Sequence, residues 1–486
     1  MPVTAPPSIA APRPALDAPR PPAVEGSVPP SAPTTGTVRS PLAVRVAVLA
    51  GVLLGLAVLV TQGLRDFAFN DYESEAKPAI DRLLAGDLSG FLSVLPGYGG
   101  AVILQAPFAP LGNLVGPDHD LWTWRALAVP GLASLAVLGG WLGLRVGRAR
   151  PGRRGAVTGG LTALLVTGSP FAMLALDTGH PEELLVTAMA VGGVLLAAGG
   201  RVTVGAGVVA LAAVAKPWAV IAMPVVLLAA EDRRQLARAV VVAGIAGLAL
   251  LAPILAANGG DRAAGMTHAS TSGIFKPTNV FWFFGTENPD WSADGNVRSS
   301  AFGAAQAVWA QRLEPAWAAR VSHPLIVLFA GAVALAFAWL RRRDAIAVRR
   351  QDLLLLLAAA CWWRCLLDTW NVHYYALGAI VALAAWEAHR RRFPVAALLV
   401  TLAAWVTFEI FPGSMITPDG QTALYLAWGV PLGLWLVARA LWPAALVRAS
   451  DRLIGRIARA LPTLAAWSGR RPATAAPVAG EGERVV

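Results

Sequence analysis

The sequence has few charged residues for its length. Of 486 residues only 14% are Asp, Glu, Lys or Arg, and 56% are hydrophobic. Charged residues make up about 25% of a typical soluble domain. A water-soluble globule of this size could not cover its surface with so few charges. The composition therefore excludes a soluble multidomain protein and predicts an all-α polytopic membrane protein, because helices satisfy their own backbone groups in lipid.

Cysteine and lysine are scarce too. The two cysteines, Cys361 and Cys365, lie four residues apart in one apolar run, so they give neither a disulfide framework nor a metal-binding pattern. Arginine supplies nearly all of the basic charge behind the net +11. Membrane proteins collect arginine on cytoplasmic loops for topological reasons, so this charge does not indicate a nucleic-acid partner. We expect no metal ion and no cofactor.

The two ends of the chain differ from its middle. Residues 1–41 are rich in proline and predict a disordered cytoplasmic tail, and residues 443–486 predict a basic cytoplasmic C-terminal tail. Between them, in residues 42–442, apolar runs of helical length fall near 42–62, 122–145, 155–175, 182–200, 202–216, 217–231, 236–257, 322–340, 352–367, 372–388, 394–411 and 421–442. The sequence therefore predicts a bundle of about 12 transmembrane helices.

Arginine clusters orient these predicted spans. With the N-terminus inside, the clusters at 145–154, 233–238, 341–350 and 390–392 all fall on the inner side, as the positive-inside rule requires. Both termini are then cytoplasmic, and the long outer loops are 63–121 and 258–321. Residues 100–116 are apolar but would reverse this topology, so we interpret them as interfacial or re-entrant. Just before them, leucines and other apolar residues between Ile80 and Leu95 recur with helical spacing and predict a surface helix.

The first outer loop is acidic beside the membrane edge. It carries Asp66, Asp71, Glu73 and Glu75 directly after the first predicted span. Such acids can simply form a solvated loop that helps to set the topology. A carboxylate next to apolar surface also has a raised proton affinity, which suits a general base.

Two further polar clusters lie among the central apolar runs. Asp177, His180 and the acids at 182–183 open the fourth predicted span, either as a polar helix cap or as a loop that contacts substrate. Lys216, followed by Pro217, stands inside a long apolar stretch. A lysine there is costly unless it snorkels to the membrane surface or meets an anion such as a phosphate.

The remaining candidate site residues lie on two further predicted outer segments that carry cations. Arg364 and Asp368 are four residues apart, so they can pair on one helix face, or Arg364 and His373 can face a substrate phosphate. The loop 258–321 adds Arg262, His268 and Lys276 beside aromatic residues at 275 and 281–284. Cations next to aromatics can hold a lipid-linked phosphate and stack on a sugar, or they can form an interfacial aromatic belt.

Three stretches together resemble the GT-C superfamily of membrane glycosyltransferases, and within it the bacterial polyprenol-phosphate-mannose-dependent mannosyltransferases of glycosyltransferase family 87. They are the acidic loop after the first span, the region from Gly179-His180 to Ala215-Lys216-Pro217, and the run Asp368-x-Trp-Asn-x-x-Tyr-Tyr375. His180 stands where the family has an amide, and Pro217 follows Lys216 directly where the family has Lys-x-x-Pro.

The resemblance implies an enzyme of the bacterial cell membrane that takes a hexose, mannose in this family, from a polyprenyl-phosphate sugar donor. The acceptor would be a lipid-linked or glycan molecule on the outer side of the bilayer, and the transfer a single inverting step. It implies Asp71 as the base, with Asp66, Glu73 and Glu75 as alternatives. The substrate-binding candidates are Lys276, Lys216, His268, Arg262, His180, Arg364, Asp368 and His373.

Two other functions fit twelve predicted spans. A secondary transporter of the major facilitator type has this helix number, and residues 150–154 are similar to its loop between spans two and three, but Ala149 stands where that loop has an aspartate. We also see no repeat of one half of the chain in the other. A flippase for lipid-linked sugars would share the basic and aromatic outer loops.

Overall fold

The computed structural model describes residues 42–65, 72–96, 99–115, 119–258, 275–288, 312–343, 352–411 and 417–442. Nearly all of them are helical. The helices are α1 (Leu42–Val58), α2 (Lys77–Leu84), α3 (Leu88–Ser93), α4 (Gly99–Gln105), α5 (His119–Gly147), α6 (Gly152–Thr167), α7 (Pro170–Asp177), α8 (Glu182–Ala198), α9 (Val202–Ala215), α10 (Ala222–Leu227), α11 (Arg233–Asn258), α12 (Ala316–Arg343), α13 (Asp352–Leu367), α14 (Ala376–His389), α15 (Val395–Trp405) and α16 (Pro418–Leu441).

Short elements complete these helices. Turns of 3-10 helix cover Ala106–Leu114, Pro217–Ile221, Trp282–Phe284 and His373–Tyr375, and wider π turns cover Leu59–Gly63, Tyr72–Ala76 and Val406–Ile410. Two-residue strands, β1 (Thr286–Glu287) and β2 (Arg312–Leu313), pair antiparallel, with Glu287 opposite Arg312.

Six stretches of helix are long and apolar enough to cross a membrane. They are Leu42–Gly63, His119–Gly147, Gly152–Asp177, Arg233–Ala257, Ala316–Arg342 and Pro418–Leu441. The all-helical prediction is confirmed for the described residues, whereas the count of about 12 spans stays a prediction. Several remaining helices, such as α13 and α14, have apolar sequences but only 16 and 14 residues.

Burial separates inner helices from outer ones. Leu353 to Leu357 of α13 are at most 2% exposed, so that helix is surrounded by protein. On α11, by contrast, Val240, Val241, Ile245 and Leu248 are each more than half exposed. A soluble monomer does not present an apolar face of this extent to water, so we interpret the outward side of α11 as lipid-facing.

The surface segment after α1 differs from its prediction. The apolar stripe between Ile80 and Leu95 forms two short helices rather than one, because Gly86 takes a left-handed conformation (φ 80°) and ends α2. Asp87 then begins α3, accepting a hydrogen bond from the amide of Gly90 at 2.7 Å. Residues 100–116 were predicted to be interfacial or re-entrant, and the described helices there, α4 and the 3-10 turn Ala106–Leu114, are too short to span a bilayer.

The bundle has two chemically different ends. Helices α13 and α14 pack side by side and are joined by residues 368–375, which lie at one end together with the α7–α8 turn; we call this the carboxylate end. At the other end, Arg145 donates to the carbonyl of His389 at 3.1 Å, which joins α5 to the last residue of α14; we call this the arginine end. The 14 residues of α14 separate the two ends by about 20 Å, at about 1.5 Å per residue.

Candidate functional site

The α7–α8 turn places two carboxylates at the carboxylate end. Gly179 adopts a left-handed φ of 86° after α7, and the amide of His180 donates back to the carbonyl of Ala175 at 2.7 Å. Pro181 follows, and α8 opens with Glu182 and Glu183 in its first turn, where the helix dipole favours negative charge. Both carboxylate residues are buried, at 2% and 1% exposure.

Lys216 reaches these acids because its helix stops there. Pro217 cannot continue α9, and it forces the preceding residue into the extended region, where Lys216 has φ −148° and ψ 116°. The Lys216 Nζ lies 2.6 Å from Oε1 of Glu182 and 3.5 Å from Oε1 of Glu183. Lys216 therefore does not extend to the membrane surface. The anions that it meets are carboxylates of the protein itself.

The network extends on both sides of this ion pair. The His180 Nδ1 lies 2.8 Å from the same Glu182 oxygen, and the indole N–H of Trp218 donates to Oε2 of Glu183 at 3.1 Å. Tyr374 packs on the His180 ring with centroids 5.3 Å apart. The result is a buried chain of alternating acidic and basic groups between α8, the α9 break and the start of α14.

Arg364 of α13 forms the next layer. Its guanidinium carbon lies 3.7 Å from the centre of the Tyr375 ring and 4.8 Å from that of Trp218, so the charge sits between two aromatic faces. Arg364 is 4% exposed, and its Nε has no hydrogen-bond partner within the described part of the chain. A buried N–H without a hydrogen bond is costly, and the nearby carboxylates of Glu183 and Asp368 favour the charge without bonding to this nitrogen.

The predicted pair between Arg364 and Asp368 does not form as an ion pair among the described residues. Asp368 instead accepts the amide of Trp370 at 3.0 Å, and its Oδ1 lies 3.8 Å from Nε2 of His323 on α12. The reason is that α13 ends at Leu367, so Asp368 leaves the helix face that carries Arg364.

Glu314 stands just before α12, next to this group. Burial and the nearby Asp368 raise the pKa of its carboxyl group, and a hydrogen bond from Thr369 opposes that shift. His323, 54% exposed through its side chain, gives this region a third basic group that faces outward. The carboxylate end thus has a buried half around Glu182 and a more open half around His323.

Residues 275–279 of the 258–321 loop pack against the same connection. Thr278 donates its hydroxyl to the carbonyl of Asn371 at 2.9 Å, and the Asn371 amide returns a bond to the Thr278 carbonyl at 2.6 Å. The amide of Lys276 bonds to the carbonyl of Thr369, and Lys276 is only 2% exposed. The structure therefore brings Lys276 to the connection that carries Asp368. His268 and Arg262 lie outside the described residues.

His373 makes a separate pair. Its Nδ1 lies 2.5 Å from Oε1 of Glu409, and its ring stacks on Phe408 with centroids 5.0 Å apart. Glu409 ends the last apolar run before α16, so this pair ties the α13–α14 connection to α15. Because a protein carboxylate already occupies the ring nitrogen, we interpret His373 as a positioning residue.

Asp66 and Asp71 lie outside the described residues, but both ends of their loop are placed. A β-carbon on Gly63 would lie 3.0 Å from Cβ of Leu176, three residues before Gly179, so α1 ends beside the α7–α8 turn. At the far end of the gap, Tyr72 is 2% exposed, and burial together with Asp120 raises its pKa. Glu73 is exposed and Glu75 is partly buried in the turn that follows.

Helix α4 of the first outer loop also contacts the site region. A β-carbon on Gly100 would lie 2.5 Å from the carbonyl oxygen of Val214, so only glycine allows α4 to pack this closely on the end of α9. Val214 is two residues before Lys216. Helix α4 and the buried lysine therefore share one end of the bundle.

Sequence reasoning missed several residues of this site. Glu182 and Glu183 were recognised as polar but not as partners of Lys216, and Trp218, Tyr375 and His323 were noted without being given a role in the site. The available signal was the lone lysine in an apolar run, because a buried cation requires a buried anion. Within the described ranges no three His, Cys, Asp or Glu side chains gather as ligands for a metal ion. Comparison with protein-family models, curated proteins and solved structures finds no match.

Proposed function

We propose that this chain is a membrane glycosyltransferase of the GT-C type. It takes a hexose, with mannose as the expected sugar, from a polyprenyl-phosphate donor and passes it to a lipid-linked or glycan acceptor. The reaction takes place at the carboxylate end, which faces the outside of a bacterial cell membrane, and both termini are cytoplasmic. The observation that carries the proposal is Arg364, a buried guanidinium held between two rings with an unpaired N–H.

The geometry of Arg364 suits a phosphate. The guanidinium carbon lies close to the rings of Trp218 and Tyr375, and the Nε–H has no hydrogen-bond partner among the described residues. An arginine edge offers parallel N–H donors that match two phosphate oxygens. Lys276, buried beside Thr369, and His323, at the open half of the site, supply additional positive charge for the same ligand.

The chemistry then needs one base. Asp71 takes the proton of the acceptor hydroxyl, the hydroxyl oxygen forms a bond to the anomeric carbon, and the bond between that carbon and the phosphate oxygen breaks. The electron pair leaves on the polyprenyl phosphate, which is a weak base and needs cations rather than an acid to depart. A single carboxylate therefore suffices for inversion, unlike glycoside hydrolysis, which uses two.

The first test separates donor binding from chemistry. In the purified full chain with polyprenyl-phosphate mannose and an envelope glycolipid extract as acceptor, we expect Arg364→Gln to lower kcat/KM by about 100-fold or more. Arg341→Gln is the matched control, because Arg341 is also buried but pairs with Asp352 at 3.0 Å near the arginine end. A normal rate for Arg364→Gln, with Arg341→Gln folding equally well, would contradict the proposal.

The second test concerns the base. Asp71→Asn should lower kcat by about 100- to 10,000-fold with little change in donor KM. Asp87→Asn in the same loop is the control, because asparagine can replace aspartate as the cap of α3. If Asp71→Asn retains the wild-type rate, the same measurement on Asp66→Asn, Glu73→Gln and Glu75→Gln decides whether any acid of this loop is the base.

The buried network gives one argument for a second function. Chains of His, Glu and Lys inside a membrane bundle are typical of proton-coupled transporters, and His180, Glu182 and Lys216 form such a chain. A secondary transporter, or a flippase for lipid-linked sugars, would move labelled solute or lipid across proteoliposomes without forming a new glycosidic bond. Product analysis by mass spectrometry in the same vesicles separates these functions from transfer.

A further inference from the structure

The arginine end contains a turn of three consecutive arginines. Residues 390–392 follow α14, and their amides bond back to the carbonyls of Trp386, Ala388 and Glu387 as in a helix C-cap. Arg391 has a φ of 58°, a left-handed conformation in which glycine is the usual residue. This compact turn places three guanidinium-bearing side chains around one point of the backbone.

More arginines converge on the turn from neighbouring helices. Arg145 donates to the carbonyl of His389, and Arg150 donates to the carbonyl of Arg391 at 3.5 Å. Arg439, near the end of α16, lies 5.9 Å from the centre of the Trp386 ring, and Arg390 lies 5.1 Å from the same ring. The guanidinium groups of Arg390 and Arg439 therefore both lie close to the Trp386 ring.

Three of these arginines have no carboxylate partner within the described part of the chain. No carboxylate there lies within 4 Å of Arg145, Arg391 or Arg392, although Arg341 and Arg312 elsewhere have such partners. Glu387 is close by, but its two oxygens accept the amides of Ala396 and Ala397, each at 3.1 Å. The carboxylate fixes the start of α15, and although Arg392 is near enough to interact with it, the two side chains form no ion pair within 4 Å in the described part of the chain.

A cavity opens beside this turn. It has a volume of about 280 Å³, and its lining includes the charged residues Glu387, Arg390 and Arg392 and the apolar residues Val395, Leu399 and Trp435. The cavity is therefore amphipathic, with cations at the end of the bundle and apolar side chains next to them.

An apolar strip continues from the cavity along the bundle. Val395, Leu399 and Leu402 follow one another on a single face of α15 and are 50%, 60% and 52% exposed. Leu434 and Trp435 of α16, also partly exposed, lie in the same part of the fold. The strip runs about 10 Å from the arginines towards the carboxylate end, at about 1.5 Å per residue.

We propose that this cavity, which we call the basic pocket, binds the phosphate of an anionic diacyl phospholipid at Arg390 and Arg392, while Glu387 in its lining stays bonded to the amides of Ala396 and Ala397. The arginines bind the headgroup, and one acyl chain lies along the strip on α15. Basic pockets between transmembrane helices on the cytoplasmic side suit anionic lipids, whereas a free phosphate would make no use of the strip. The proposal does not depend on the glycosyltransferase function, since the pocket is at the opposite end of the bundle.

The test uses the full chain in a neutral detergent, titrated with phosphatidylglycerol or phosphatidylcholine and measured by native mass spectrometry. We expect phosphatidylglycerol to bind the wild-type protein at least about tenfold more tightly than phosphatidylcholine. Arg390→Gln with Arg392→Gln should abolish this preference. Arg153→Gln with Arg154→Gln, an exposed pair on the first turn of α6, removes the same charge near the same end and should keep it.

Each other outcome overturns the proposal. Equal loss in both double variants would mean that general surface charge, not the pocket, attracts the lipid. No loss in either would place the lipid elsewhere. Glycerophosphoglycerol, which lacks the acyl chains, binding as tightly as the lipid would make this a site for free phosphate esters. If Arg390→Gln with Arg392→Gln does not fold, Leu399→Asn is used, which keeps the arginines and should weaken the lipid but not glycerophosphoglycerol.

Discussion

The ion pair between Lys216 and Glu182 makes the sharpest prediction for stability. Its charged atoms lie 2.6 Å apart, and the two side chains are 13% and 2% exposed. We replace them singly, as Lys216→Met and Glu182→Gln, and together. Because the pair is buried, we expect the two changes to interact strongly rather than add.

The magnitude follows from what each variant leaves behind. Lys216→Met leaves the carboxylates of Glu182 and Glu183 in a buried site without their shared cation, and breaking a buried pair in this way costs about 3–5 kcal/mol. Glu182→Gln is milder, because Lys216 still has Glu183 at 3.5 Å. The double variant removes one charge of each sign, so its loss should fall about 2 kcal/mol or more below the sum of the single losses.

The assay is reversible unfolding in mixed micelles with increasing sodium dodecyl sulfate, followed by tryptophan fluorescence. The matched control is Lys77→Met with Asp81→Asn, a pair with a similar separation of 2.8 Å but side chains that are 25% and 53% exposed. For an exposed pair of this spacing we expect a coupling of about 0.3–0.5 kcal/mol. Coupling at Lys216 and Glu182 no larger than in this control would refute the view that the network is a buried ion pair.

Three further predictions use the same unfolding assay. Gly100→Ala should destabilise the fold by roughly 1–3 kcal/mol, because the added β-carbon would lie 2.5 Å from the carbonyl oxygen of Val214. Gly244→Ala, where the β-carbon meets open space, should not destabilise it. Equal effects of the two substitutions would contradict the close packing of α4. Arg391→Gly, measured without lipid, should stabilise the protein by roughly 0.5–1 kcal/mol, because glycine adopts the left-handed φ of this position without strain. Arg392→Gly should not stabilise it. Destabilisation by Arg391→Gly would show that the arginine side chain holds the turn. Glu314→Gln should raise the free energy of unfolding at pH 7 to 8 and leave it unchanged near pH 4. A raised pKa in the folded state gives stability that is present below the unfolded pKa and lost as the pH rises through the folded value, so an effect that is the same at both pH values would contradict this assignment.

The positions of helices could be predicted from the sequence, because apolar composition and helix-breaking residues act locally. The run at 352–367 coincides with α13, and that at 202–216 ends one residue beyond α9, where Pro217 stops the helix. The surface stripe between Ile80 and Leu95 was predicted as one helix and is two, because a single glycine turn at Gly86 outweighs a regular apolar spacing.

The candidate site could be predicted from the sequence only in part. The sequence could mark Lys216 and Arg364 as costly in apolar surroundings, since that argument needs only the residue and its neighbours. It could not supply the partner of Lys216, which is 34 positions away, because such a contact depends on how α8 and α9 pack. For Arg364 a spacing of four suggested Asp368, but the end of α13 at Leu367 and the rings of Trp218 and Tyr375 decide its actual surroundings.

The strand pair β1–β2 has a consequence for how this protein can vary. Glu287 lies opposite Arg312, and Arg312 is held to Asp419 at 2.8 Å, so the chain leaves and re-enters the bundle at one anchored point. The chain between β1 and β2 therefore begins and ends at this paired point. Because the two strands are paired to each other and held to Asp419, changes in chain length between them can be accommodated while the helices keep their positions.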